Sequence, residues 1–173
     1  MPGYGAFSNA AAKQFGWGKI KPADGRGFGL ALGTEKASYV ATCVEVSADP
    51  KSGRVKVLRV VTAFDCGPVL NPEHLKNQIE GCAMMGLGGA LFEAIQFANG
   101  KILNPNFANY RLPRFGDTPT FETVLVESKD VPSAGAGETP IIAIAPAIGN
   151  AVCHVTGIRL RSLPMVQNGL KGM

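Results

Sequence analysis

Two stretches of the chain alternate apolar and polar positions with a period of two. Ser38 to Ala48 reads SYVATCVEVSA, Val55 to Asp65 reads VKVLRVVTAFD, and DPKSGR between them supplies turn residues. The pattern predicts a β-hairpin. Thr120 to Glu127 alternates in the same way and predicts a further strand; Asn99-Gly100 predicts a tight turn, Lys101 to Leu103 a short strand after it, and Arg159 to Leu163 a closing strand.

The period then changes to that of a helix. After Asn71, a good cap, come Pro72 at a first helical position and Glu73 at the positive end of the dipole, and apolar or small residues recur at Leu75, Ile79, Cys82, Met85, Gly86, Gly89 and Ala90. A helix from about Pro72 to Phe97 follows. It carries Gly81, Gly86, Gly88 and Gly89, each costing about 1 kcal/mol relative to Ala. Either a tight crossing against another element or a ligand lying on bare backbone would compensate. The apolar segment IIAIAPAIGNAVCHVTG predicts a buried helix ending at Gly157.

Residues 1–37 are small, glycine-rich and weakly periodic. They read as a poorly regular segment with a short helix over Ser8 to Phe15 and a loop through Pro22, Gly25, Gly27 and Gly29. The regular part is residues 38–173. The fold class is α+β: a β-hairpin or mixed sheet packed with a long glycine-rich helix and a C-terminal buried helix.

Length and composition sharpen this picture. A chain of 173 residues with 46% hydrophobic residues can bury one core without disulfides. The 17 Lys and Arg exceed the 13 Asp and Glu by only four, and they are scattered without interleaved aromatics, which argues against nucleic acid as a partner. Cys43, Cys66, Cys82 and Cys153 form no C-x-x-C pair, so no zinc or iron–sulfur spacing exists and no metal ligand is assigned. No apolar run reaches the ~18 residues of a membrane span, and no signal-peptide core opens the chain.

The most informative stretch for chemistry is GAGETP, Gly135 to Pro140. Thr139 can cap a helix and Pro140 can start it, which puts Glu138 just outside a helix N-terminus on a glycine-containing loop. Glu138 then either complements the helix dipole or acts as a base, its pKa raised by desolvation among Ile141, Ile142 and Ala143. The amide of Gln78 can offer a donor and an acceptor to a planar ligand edge. His74 and His154 have no Ser or Cys partner and read as structural. The glycines of GRGFGLALG lack the preceding strand and spacing of a dinucleotide fingerprint.

The ordered succession DCGPVLNP, QIEG, GLGGALFE, NPNFANYRLP, GAGETP and PAIGNA resembles the large subunit of the molybdenum hydroxylases, the xanthine dehydrogenase and aldehyde oxidase family. WGK, GRGFGLAL and SYVATCVEVS resemble the isoquinoline 1-oxidoreductase beta-subunit type within it. The resemblance runs from about Trp17 to Pro164.

It implies that residues 38–173 are the C-terminal part of a molybdopterin-binding domain in an oxidoreductase that hydroxylates an aldehyde or N-heteroaromatic carbon with water as oxygen source. By this resemblance Glu138 matches the general base, Gln78 the glutamine that hydrogen-bonds the molybdopterin, and Gly135, Ala136 and Gly137 the backbone that approaches the cofactor. Asp65, Cys66 and Asn71 belong to the motifs as architecture. The implied cofactor is a molybdenum–molybdopterin, its cytosine dinucleotide form included, with [2Fe-2S] clusters on a partner subunit. The implied partners are the upstream half of the large subunit, an iron–sulfur small subunit and a small-molecule substrate, in the bacterial cytoplasm or periplasm. Alone, the fragment is expected to be catalytically silent and to self-associate as a homo-oligomer. Two rivals are a non-catalytic cofactor-binding or assembly module of the same fold, and a metal-free hydrolase or isomerase using Glu138.

Overall fold

The computed structural model describes residues 5–21, 23–129 and 132–165, so Pro22 of the expected loop and residues 166–173 of the C-terminal unit lie outside it. In chain order the elements are α1 (Gly5–Phe15), β1 (Arg26–Glu35), β2 (Ser38–Asp49), β3 (Arg54–Asp65), α2 (Pro72–Leu91), the two-residue strands β4 (Phe97–Ala98) and β5 (Lys101–Ile102), β6 (Thr120–Leu125) and α3 (Ile144–Thr156). The α+β expectation holds. A four-stranded sheet has the order β1-β2-β3-β6, antiparallel except for the parallel pair β3 and β6.

The predicted hairpin is β2–β3, in register from Tyr39 opposite Asp65 to Asp49 opposite Arg54, with an irregularity between Glu45 and Val46. Its alternation places Val44, Val46, Val57 and Val60 against α2 and α3. Ala41, Cys43, Val61 and Ala63 meet Phe7, Ala11 and Phe15 of α1 on the opposite face. Each face of the sheet is therefore covered by helix, which is why these strands carry apolar residues on both sides.

Residues 1–37 contain more order than their composition suggests. Residues 26–35, expected as loop, form a complete strand paired with β2 from Arg26 opposite Ser47 to Glu35 opposite Ser38. The reason is tertiary. A Cβ on Gly29 would collide with the Ala147 carbonyl oxygen and the Ala151 amide nitrogen of α3, and one on Gly27 with the Ala151 carbonyl oxygen. The glycines mark backbone approach between strand and helix, not a turn. Helix α3 also covers the free edge of β1: His154 Nδ1 accepts from Phe28 N at 3.0 Å and Asn150 Nδ2 donates to Leu30 O at 2.9 Å.

Helix α2 starts as expected, with the Asn71 side chain accepting from His74 N and Pro72 at its head, but ends at Leu91 rather than Phe97. Bonds to later residues end it. Met165 N donates to Ala90 O at 2.7 Å, while the Asn104 side chain takes Gln96 N and Ala94 O at 2.8 and 2.7 Å. Two of its glycines serve packing: a Cβ on Gly86 would lie 2.9 Å from Ile144 Cβ, and one on Gly88 would strike Glu93. Gly81 and Gly89 face open space.

The expected closing strand at residues 159–163 is absent; these residues run without ladder partners after Gly157 ends α3 in the left-handed conformation, φ 73°. The 18 residues Thr139–Thr156 are, by length and composition, apolar enough to cross a membrane, at mean hydropathy 1.4, a run the sequence reading did not count. Here they divide into a 3-10 turn, Thr139–Ala143, and α3, whose Ala147, Ile148, Ala151 and Val152 are wholly buried against the sheet.

Candidate functional site

The residues expected to carry chemistry meet at one end of the sheet. The loop from Pro132 to Glu138 leaves β6, and Ala134 N donates to Cys66 O at 2.8 Å, which ties the loop to the end of β3. Asp65 holds that corner: its buried carboxylate accepts from Gly67 N at 3.0 Å and from Ser128 Oγ. Asp65, Cys66 and Asn71 are thus architectural, and Asn71 caps α2.

Gln78 and Cys82 lie one turn apart on α2, so both point at the loop. The Gln78 amide nitrogen and, at 3.3 Å, the Cys82 thiol both donate to the carbonyl oxygen of Gly137. Burial pushes the Cys82 thiol up. On the other side stands the β1–β2 turn, which sequence reasoning missed. Ser38 Oγ donates to Gly135 O at 2.7 Å, the Lys36 ammonium donates to Glu138 Oε1, and Thr139 Oγ1 reaches the Glu35 carboxylate at 3.3 Å. The stretch before it read as loop, and Lys36-Ala37 lacks the Asn-Gly or Asp-Gly that would have named the turn.

Two expectations for this loop are corrected. Glu138 is not desolvated: its side chain is 63% exposed, and the Lys36 ammonium donating to it holds it below the ordinary carboxylate range. The isoleucines face elsewhere, Ile141 toward Gly86 and Ile142 toward Gly33. Thr139 is not the cap, because it is buried and bonded to Glu35, and Glu138 occupies the position before the 3-10 turn without a side-chain cap bond.

Lys36, Gly135, Gly137, Glu138 and Thr139 line an open cavity of about 410 Å³. A Cβ on Gly137 would meet nothing within 4 Å, so this backbone is accessible to a flat group, and the amide of Gln78 sits beside it. Bare backbone, a planar donor–acceptor amide and an exposed carboxylate in one place fit a polycyclic cofactor with alternating donors and acceptors along its edge. A larger cavity, about 650 Å³, lies at the far end of the sheet between the β2–β3 tip and Arg111, and none of the expected site residues lines it. Among the described residues no group of three His, Cys, Asp or Glu is arranged to hold a metal ion.

A helix-covered mixed sheet whose glycine loop bounds an open cavity, with a helical glutamine bonded to that loop, has the form of a cofactor-binding domain. Residues 9–119 match the family described as the molybdopterin cofactor-binding domain, and the chain belongs to that family. It is 38% identical over 164 residues to the isoquinoline 1-oxidoreductase subunit beta of Brevundimonas diminuta, covering 92% of this chain and 21% of that protein. It is 35% identical over 143 residues to the xanthine dehydrogenase molybdenum-binding subunit of Escherichia coli O157:H7, covering 79% of this chain and 19% of that protein. The crystal structure of the aldehyde oxidoreductase from Desulfovibrio desulfuricans ATCC 27774 superposes with TM-score 0.66 at 30% identity, over 73% of this chain and 14% of that one. The chain thus spans about a fifth of the length of the curated relatives it matches.

Proposed function

We propose that this chain is the cofactor-facing C-terminal part of a molybdenum hydroxylase, an oxidoreductase that hydroxylates an aldehyde or N-heteroaromatic carbon and takes the oxygen from water. The observation that carries the reading is one open cavity lined by Gly135, Gly137 and Glu138, with Gln78 bonded to the carbonyl of Gly137 at its wall, in a member of this family. Molybdenum held by a pterin, its cytosine dinucleotide form included, supplies a two-electron redox centre when bound.

This chain's residues do the rest. The Gln78 amide would hold the pterin edge, and Gly135, Ala136 and Gly137 would present their backbone to it, open at Gly137, where a Cβ would meet nothing within 4 Å. Glu138, an exposed carboxylate whose pKa Lys36 lowers further, would accept at a carboxylate oxygen the proton released as water-derived oxygen passes to carbon. [2Fe-2S] clusters on an iron–sulfur small subunit would accept the electrons, and the remainder of the large subunit would complete the substrate pocket. A second reading, a non-catalytic cofactor-binding or assembly module, draws on the exposure of Glu138.

One experiment separates them. The chain is assembled with the rest of the large subunit and the iron–sulfur subunit, and molybdenum, pterin and turnover are measured with Glu138→Gln alongside. The variant keeps size and hydrogen-bond acceptance but takes no proton, so at matched molybdenum content turnover should fall about 10²–10⁴-fold. Unchanged turnover would return Glu138 to an architectural role and favour the second reading.

A further inference from the structure

The β1–β2 turn touches the site loop three times within four residues. Glu35 accepts from Thr139, Lys36 donates to Glu138, and Ser38 donates to the Gly135 carbonyl. Such repeated contact is not what a connecting turn requires, since the ladder already closes at Glu35 opposite Ser38. The turn is also held in an unfavourable backbone. Its two central residues, Lys36 at φ 49° and Ala37 at φ 62°, both adopt the left-handed region, in a two-residue connection of the kind that favours Asn-Gly. Lysine here brings a four-carbon stem and a point charge to the cavity, which glycine or asparagine could not do.

The opposite side of the loop is held separately, by Gln78 and Cys82 on the Gly137 carbonyl. The backbone before Glu138 is therefore held from α2 at Gly137 and from the turn at Gly135, while its carboxylate is oriented from the turn.

We propose that Lys36 is a positioning residue for Glu138: the left-handed β1–β2 turn presents its ammonium so that the carboxylate is aimed across the mouth of the cavity. The inference deepens the reading of Glu138 as proton acceptor and rests on it for its functional meaning. The Lys36–Glu138 pair itself stands on geometry. The titratable groups facing Glu138 are Lys36 on the turn, with Glu35 beside it, and Cys82 on α2. Lys36 is the cation among them, and it accounts for the depressed Glu138 pKa. Left-handed strain in a turn bearing a site residue is the pattern expected where local conformation is retained for function.

The test reads the pair first and catalysis second. Carboxyl carbon NMR on this chain follows the Glu138 titration in wild type, Lys36→Met and Lys36→Arg. Methionine keeps the length and the backbone demand of lysine, so the midpoint should rise in Lys36→Met and stay low in Lys36→Arg. The assembled, molybdenum-loaded enzyme then gives the pH dependence of kcat/KM. A base that must be ionised loses activity below its pKa, so the acid limb should move to higher pH in Lys36→Met, with kcat reduced by up to about 10²-fold if aim is lost, and arginine should restore both. An unmoved Glu138 midpoint in Lys36→Met overturns the positioning role. A midpoint that rises while the acid limb stays put leaves the pair intact and refutes Glu138 as the base.

Discussion

Adding one methyl group at Gly29 tests the packing that organises this fold. The Cβ of Gly29→Ala would fall well inside contact distance of the Ala147 carbonyl oxygen and the Ala151 amide nitrogen, and 3.1 Å from the Ala147 carbonyl carbon. Carbon–oxygen contacts settle near 3.3–3.6 Å, so α3 must retreat from the sheet by roughly 1 Å. The obstacle is helix backbone, which cannot rotate away as a side chain would. Retreat also loosens Ile148 and Val152, now fully buried under the sheet. Overpacking of this kind costs about 1–3 kcal/mol, and an obstacle made of backbone places it near ~3. For a chain of this length that lowers Tm by about 6–12 °C. Thermal and urea unfolding by circular dichroism measure it, with Gly81→Ala and Gly89→Ala as controls. At those positions a Cβ meets nothing within 4 Å, so the change should stabilise α2 by up to about 1 kcal/mol. If Gly29→Ala unfolds within 0.5 kcal/mol of wild type on the scale of ordinary surface changes, close strand–helix approach is not why glycine stands there.

Arg59 joins α1 to the sheet, donating to Glu122 at 2.6 Å and to the Phe15 and Gln14 carbonyls at 2.9 and 3.1 Å, so Arg59→Met should cost about 1–3 kcal/mol and speed proteolysis within residues 5–15. The Arg59 bond holds Glu122 below its ordinary 4.5; its contribution is present above that value and lost as pH falls through the lower folded pKa, a loss of acid stability that Glu122→Gln should abolish in urea titrations below pH 4.5. Burial pushes the Cys43 thiol up to about 12, so alkylation at pH 8 should mark the half-buried Cys153 first and leave Cys43 unmodified until unfolding; the stability from keeping Cys43 neutral is whole below its ordinary 9.0 and fades toward pH 12. Phe97, Ile102, Phe107 and Phe115 are exposed, so the chain alone should bind a hydrophobic dye and self-associate with concentration; a dye-silent monomer at high concentration would contradict this.

Local sequence determined the β2–β3 hairpin by its alternation, and the cap of α2 at Asn71, the Asn99-Gly100 turn and the end of α3 at Gly157 by residue type, because each depends on local pattern or a local backbone requirement. The motifs likewise pointed to Gln78 and to Gly135 through Glu138, and those residues do lie together. Tertiary structure decided the rest. Strand β1 was hidden because Gly27 and Gly29 read as turn residues, and only the backbone of α3 lying on them shows why no side chain fits. Helix α2 stops short of its expected end because the nearby Asn104 side chain and the distant Met165 amide take up backbone groups that would have continued it. Glu138 was expected among isoleucines three and four residues away, yet those side chains turn to Gly86 and Gly33, and its partner comes from a turn a hundred residues earlier. A pKa follows from what surrounds a carboxylate in space. Only the folded chain brings Lys36 to it.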